Sequence, residues 1–226
     1  MNPSIARAAG IAAMAAAAAA VVVAPLHALA RFATEDGASD LESPIVSAWA
    51  GPAREIAGGL LTFSSPDAVY TTYGKFWTIF LAAVLGCALA MRSQRLAVMH
   101  TGERWGWRLA LAGYSLIAAG SFVSYWTPNV DAGFAFLTLP GQLISTIGST
   151  TLGVALLRAH GRPLLTAWLL ALDLPLSILF TIVGSMATGV LPFALAWGAA
   201  GWRLYRSTAT HTPVSAAAPI DAPGAQ

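Results

Sequence analysis

Asp173 is the residue with the sharpest chemistry in this chain. It is the only charged side chain between Pro163 and Trp202. It lies about ten residues into a helix that would begin near Pro163, close to the middle of a bilayer of ordinary thickness. An aspartate there costs roughly 2.5–3.5 kcal/mol to insert, and each flanking Leu, Ile or Phe returns about 0.3–0.6 kcal/mol. Insertion is therefore feasible, but the carboxyl group must face protein or water rather than lipid. Its polar neighbours have the spacing for that. Thr166, Asp173, Ser177, Thr181 and Gly184 fall on one helical stripe. Pro175 has no N–H, and its ring opposes the carbonyl of Ala171, so a kink is expected that frees this backbone acceptor. A protonatable carboxyl and hydroxyls beside a broken helix are suited to holding a proton or a cation inside a membrane. The simpler expectation is a structural aspartate, hydrogen-bonded to a neighbouring helix.

A second constellation concerns packing. Gly141, Ser145, Ser149 and Gly153 recur every four residues and form a small-residue ridge that lets another helix approach closely. The expected use is contact within the chain; a homo-oligomer or another membrane protein is the alternative. Gln142, Thr146, Thr150 and Thr151 lie beside the ridge as candidate partners for Asp173.

Other reactive residues are isolated. His27 has no second ligand at helical spacing, so a packed histidine is expected rather than a relay or a metal ligand. The acidic run from Glu35 to Glu42 offers carboxylates for a hard cation, but it lacks EF-hand spacing and reads as a solvated loop. Cys87 is the one cysteine, which excludes an intrachain disulfide and cysteine metal sites. Nothing sets a nucleophile beside a base, and no phosphate- or dinucleotide-binding pattern occurs. The expectation is therefore a protein without catalytic residues, metal or cofactor.

The elements that must position these residues are apolar. Of 226 residues, 57% are hydrophobic and 10% charged, and the mean hydropathy is +0.66. Soluble domains carry about 25% charged residues, so an ordinary water-soluble enzyme is excluded. A net charge of +2 gives no reason to expect nucleic acid. Eleven arginines against one lysine, Lys75, with abundant Ala, Gly and Pro, suggest a GC-rich, bacterial genome.

Five nearly uncharged stretches stand out: Ala8–Ala30, Phe76–Met91, Leu109–Trp126, Ala132–Leu157 and Pro163–Trp202. A span needs about 20 residues. The last stretch is long enough for two, with Gly184, Ser185, Thr188 and Gly189 at the turn. The expected fold is thus an all-α polytopic bundle of about six spans, in one membrane domain over residues 1–206.

Placing the amino terminus in the cytoplasm puts nine of the twelve basic residues inside: Arg7, Arg92, Arg95, Arg104, Arg108, Arg158, Arg162, Arg203 and Arg206. Both termini would be cytoplasmic, in the inner (plasma) membrane. Trp77, Tyr125 and Trp126 would mark the outer interface, and Trp105, Trp107, Trp202 and Tyr205 the inner one. The Arg92–Arg108 loop serves topology or touches anionic head groups. Ala28-Leu29-Ala30 resembles a signal-peptidase site, but the long apolar run before it favours an uncleaved span.

The outside segment, 31–75, carries helix-start signals at Ser43-Pro44 and Ser65-Pro66. Leu41, Ile45, Trp49, Ala53, Ile56 and Leu60 predict an amphipathic helix on the outer face. Residues 207–226 are expected to be a disordered cytoplasmic tail. With the lipid bilayer as its surroundings, the chain reads first as a non-enzymatic accessory or interaction protein. The alternative is a small proton- or cation-coupled transporter or channel using Asp173.

Overall fold

Alanine and leucine favour helix throughout, and helices form nearly the whole architecture. The structure, a computed structural model, describes residues 2–97, 99–159, 163–184 and 186–209. The helices are α1 (Pro3–Arg31), α2 (Pro44–Leu61), α3 (Pro66–Arg95), α4 (Thr101–Trp126), α5 (Val130–Gly133), α6 (Leu139–Arg158), α7 (Leu164–Ala171), α8 (Asp173–Val183) and α9 (Leu191–Ala209). No strand occurs among the described residues. Four stretches, α1, α3, α4 and Val130–Arg158, are long and apolar enough to cross a bilayer, and α7 with α8, bent by 65°, makes a fifth if the pair is one span.

Local signals explain the boundaries. Prolines at the first helical turn start α1, α2 and α3, where the missing N–H loses no bond. Asn2 caps α1 by accepting from the Ser4 N–H at 3.0 Å. Ser43 and Ser65 occupy the cap positions of α2 and α3 without a capping hydrogen bond. α3 runs 30 residues without a break, so the second apolar stretch begins ten residues before Phe76. Between α5 and α6 the turn widens to a π-helix over Phe134–Thr138, with the Leu139 N–H reaching the Phe134 carbonyl. Pro140 follows at once. It has no N–H, and its ring crowds the carbonyl four residues back, which favours a widened turn. The turn expected at 184–189 is a short 3₁₀ segment, Met186–Val190; Ser185 lies outside the described residues.

The main helix pairs run antiparallel. α1 packs on α3 and α9, α4 on α3 and α6, and α7 on α6 and α9. The closest contact is α4 against α6. Gly106, Gly113 and Gly120 on α4 meet Leu152, Ser145 and Thr138, and a Cβ on any of these glycines would strike the opposite helix. Gly10 and Gly201 play the same part between α1 and α9. The core gathers around α9, where Phe193, Trp197 and Leu204 are buried with Trp107 and Tyr114. Antiparallel order collects the described arginines 7, 92, 95, 104, 108, 158, 203 and 206 at one end of the bundle. Arg31, Arg54 and Lys75 lie at the other.

Several sequence expectations are corrected. α2 buries Val46 and Ala50, with Trp49, Ala53, Ala57 and Leu61 beside them. The buried face is therefore rotated by about one residue from the predicted stripe, and Ile56 is 90% exposed. Trp107 and Trp77 are core residues rather than interfacial markers. α9 includes residues 207–209 of the expected tail, and 210–226 lie outside the described residues, as does Arg162.

Candidate functional site

The bend between α7 and α8 follows from Pro175. Leu172 N–H still reaches the Trp168 carbonyl at 2.9 Å, and Leu176 N–H reaches the Leu172 carbonyl at 3.0 Å. The Ala171 carbonyl would pair with the amide of residue 175, and proline has none. The helix therefore breaks at Leu172, one turn before the proline, and Asp173 becomes the first residue of α8.

That break turns Asp173 inward. It is 0% exposed, and neither carboxyl oxygen has a hydrogen-bond partner. The hydroxyls of Ser149 on α6 and Ser177 on α8 face the carboxyl group. Both are engaged elsewhere. Ser149 Oγ and the Tyr114 hydroxyl share a hydrogen bond of 2.6 Å. Ser177 donates to the Gly189 carbonyl at 2.9 Å. Tyr114 stacks on Phe193, with ring centroids 5.0 Å apart, and meets the Trp197 ring edge-on. The wall is thus aromatic and aliphatic, with four oxygen-bearing side chains enclosed in it. A buried polar group without a partner is costly. A proton, a cation or a water molecule is the kind of partner that would satisfy this carboxyl group.

The predicted stripe faces inward over its length. Thr166 is buried and donates to the Ala196 carbonyl of α9 at 3.0 Å. Gly184 is buried and Thr181 partly so. On α6 the residue facing Asp173 is Ser149, which belongs to the packing ridge and not to the expected partners; Thr151 donates to its own helix at Ile147, and Gln142 Nε2 and Thr150 Oγ1 are unpaired. The ridge itself divides between two neighbours. Gly141 and Ser145 lie on α4, while Gly153 lies on Ala167 and Ala171 of α7.

Comparison of the chain with protein-family models, with curated proteins and with solved structures finds no match.

A second enclosed group is His27. Trp77 Nε1 donates to its Nδ1 at 3.0 Å. Tyr70 stacks on the imidazole at 4.7 Å, and Tyr125 meets it edge-on at 5.5 Å. Gly74 leaves the room for Tyr125. The tyrosine hydroxyls lie 3.3 Å apart. His27 Nε2 has no partner. The sequence carried a signal for this cluster in Tyr70 and Trp77, seven apart on one face of α3. At the acidic run, Asp40 pairs with Arg31 at 3.0 Å. No group of three or more metal-ligating side chains forms among the described residues.

The basic loop holds an ion pair that charge counting missed. Arg95 at the end of α3 grips Glu103 near the start of α4, with one contact at 3.0 Å. Trp107 Nε1 donates to the same carboxylate at 3.3 Å. This clamp fixes the α3–α4 connection, so Arg95 serves tertiary structure as well as charge balance.

Proposed function

We propose that this chain is a six-span protein of the bacterial plasma membrane, with both termini cytoplasmic, that acts as an accessory or interaction protein through contacts within the membrane. In this reading α9 is the sixth span. Its 19 residues give about 28 Å of helix, and Arg203 and Arg206 hold its end at the inner interface. The gathering of arginines at one end of the bundle supports that orientation. The 31–75 segment, with α2, then lies outside.

The observation that carries the interaction reading is the enclosure of Asp173. Its full burial between α6, α8 and the aromatic residues of α4 and α9 supports a role in helix contact over one on a permeation path. Affinity purification of the full chain in mild detergent tests this reading. A stoichiometric membrane partner or a defined homo-oligomer is expected. A solitary monomer that moves solute in liposomes would replace it.

One observation favours a second reading, a small proton- or cation-coupled carrier. The unpartnered carboxyl oxygens of Asp173 lie at a broken helix whose Ala171 carbonyl is freed. Wild type and Asp173→Asn reconstituted in liposomes, followed with proton- and sodium-sensitive dyes, separate the two. Flux lost only in the variant establishes the carrier; equal flux, or none in either, removes it.

A further inference from the structure

Arginines at the basic end of the bundle form an ordered stack with aromatic rings. Arg7 Cζ lies 5.0 Å from the centre of the Tyr205 ring. Tyr205 stacks on Trp202 at 6.1 Å, and Arg206 Cζ lies 4.4 Å from the centre of Trp202. Beside this stack, a groove of about 650 Å³ opens between the start of α7 and the end of α9. Leu164, Leu165 and Ala199 line its apolar part, and Trp202, Arg203 and Arg206 its polar end. The groove therefore joins arginine side chains to an apolar channel at the end of α9, the proposed sixth span.

We propose that this groove binds one anionic phospholipid. Arg203 and Arg206 take the phosphate, Trp202 lies at the level of the acyl carbonyls, and the chains follow Leu164 and Leu165. With Cζ 4.4 Å over the Trp202 ring, the Arg206 guanidinium is held beside the groove, where its N–H groups can donate to phosphate oxygens. Basic pockets between membrane helices suit anionic head groups on these grounds. The proposal rests on the membrane-spanning reading and is independent of the role of Asp173.

Lipids with brominated acyl chains quench nearby tryptophan fluorescence and provide the test. The full chain is placed in phosphatidylcholine nanodiscs containing graded amounts of brominated phosphatidylglycerol or brominated phosphatidylcholine. Phosphatidylglycerol should quench wild type at about fivefold lower mole fraction. Trp202→Phe should remove the selective part of that quenching, and Arg203→Gln/Arg206→Gln should abolish the preference. Equal quenching by the two lipids, or a preference that survives the double variant, overturns the site. Loss of the preference on adding inorganic phosphate would assign a soluble ligand and overturn the lipid. Native mass spectrometry of wild type keeps the question open to test if the variants misfold: retained phosphatidylglycerol or cardiolipin supports the site, and a bare or phosphatidylethanolamine-bearing protein rejects it. A chain that leaves the membrane without detergent would instead refute the spanning reading.

Discussion

His27 and Trp77 show how much a single contact can fix. An indole N–H only donates, so His27 Nδ1 must accept. The neutral imidazole then carries its proton on Nε2, a buried donor without a partner. Nitrogen NMR of the labelled protein should show an Nε2–H tautomer; an Nδ1–H signal would refute this contact. Trp77→Phe leaves Nδ1 unpaired as well. Its expected effect is a loss of about 1–3 kcal/mol, read as a lower thermal midpoint in detergent. Gly113 makes the complementary point about space. A side chain there would meet the backbone of Ser145, so Gly113→Val should destabilise by about 1–3 kcal/mol. Gly58→Ala on α2, where a Cβ meets open space, should be neutral or stabilising by up to about 1 kcal/mol.

Among the elements, α1 and the α7–α8 pair carry the clearest consequences. α1 passes through Ala28-Leu29-Ala30 unbroken and buries all three. It also packs along α3 and α9. Removing it would expose a large part of the core, so amino-terminal sequencing of the membrane-extracted protein should show no cleavage after Ala30. A start at residue 31 would show that the bundle forms without α1. Pro175→Ala restores an amide opposite the Ala171 carbonyl, and the pair should straighten. Spin labels at Leu165 and Ile182, both exposed, should then move apart toward about 25 Å, the length of 17 residues of straight helix. An unchanged distance would place the cause of the bend in the packing of Asp173 and Ser177 instead.

At the scale of the whole molecule, the two ends of the bundle differ in charge, and the proposed orientation rests on that difference. Cys87 is buried, so the natural chain is a quiet background for thiol labelling. Ile56→Cys, at a 90% exposed position of α2, should react in intact cells with a membrane-impermeant maleimide. Labelling only after lysis would place α2 inside and invert the proposed topology. A fluorescent protein fused to the carboxyl terminus should glow, while an alkaline phosphatase fusion there should be inactive.

The sequence by itself determined the all-helical class, the starts of α2, α3 and α7, and the inward stripe around Asp173. These depend on local quantities: hydropathy over 20 residues, proline's missing N–H, and residue spacing along a helix. Ser43-Pro44, Ser65-Pro66 and Pro175 were legible for that reason. Tertiary structure alone decided which polar group meets Asp173. Ser149 faces it because Gly153 lets α6 lie close on α7, and because the break at Leu172 turns the carboxyl group toward α6. The choice of face on α2 was likewise global. Alternative apolar stripes of similar strength share that helix, and contact with α1 selected Val46 and Ala50 over Ile45 and Ile56. The aromatic shell of His27, the Arg95–Glu103 clamp and the groove beside Trp202 join residues distant in sequence or on different helices, and only the packed bundle brings those together.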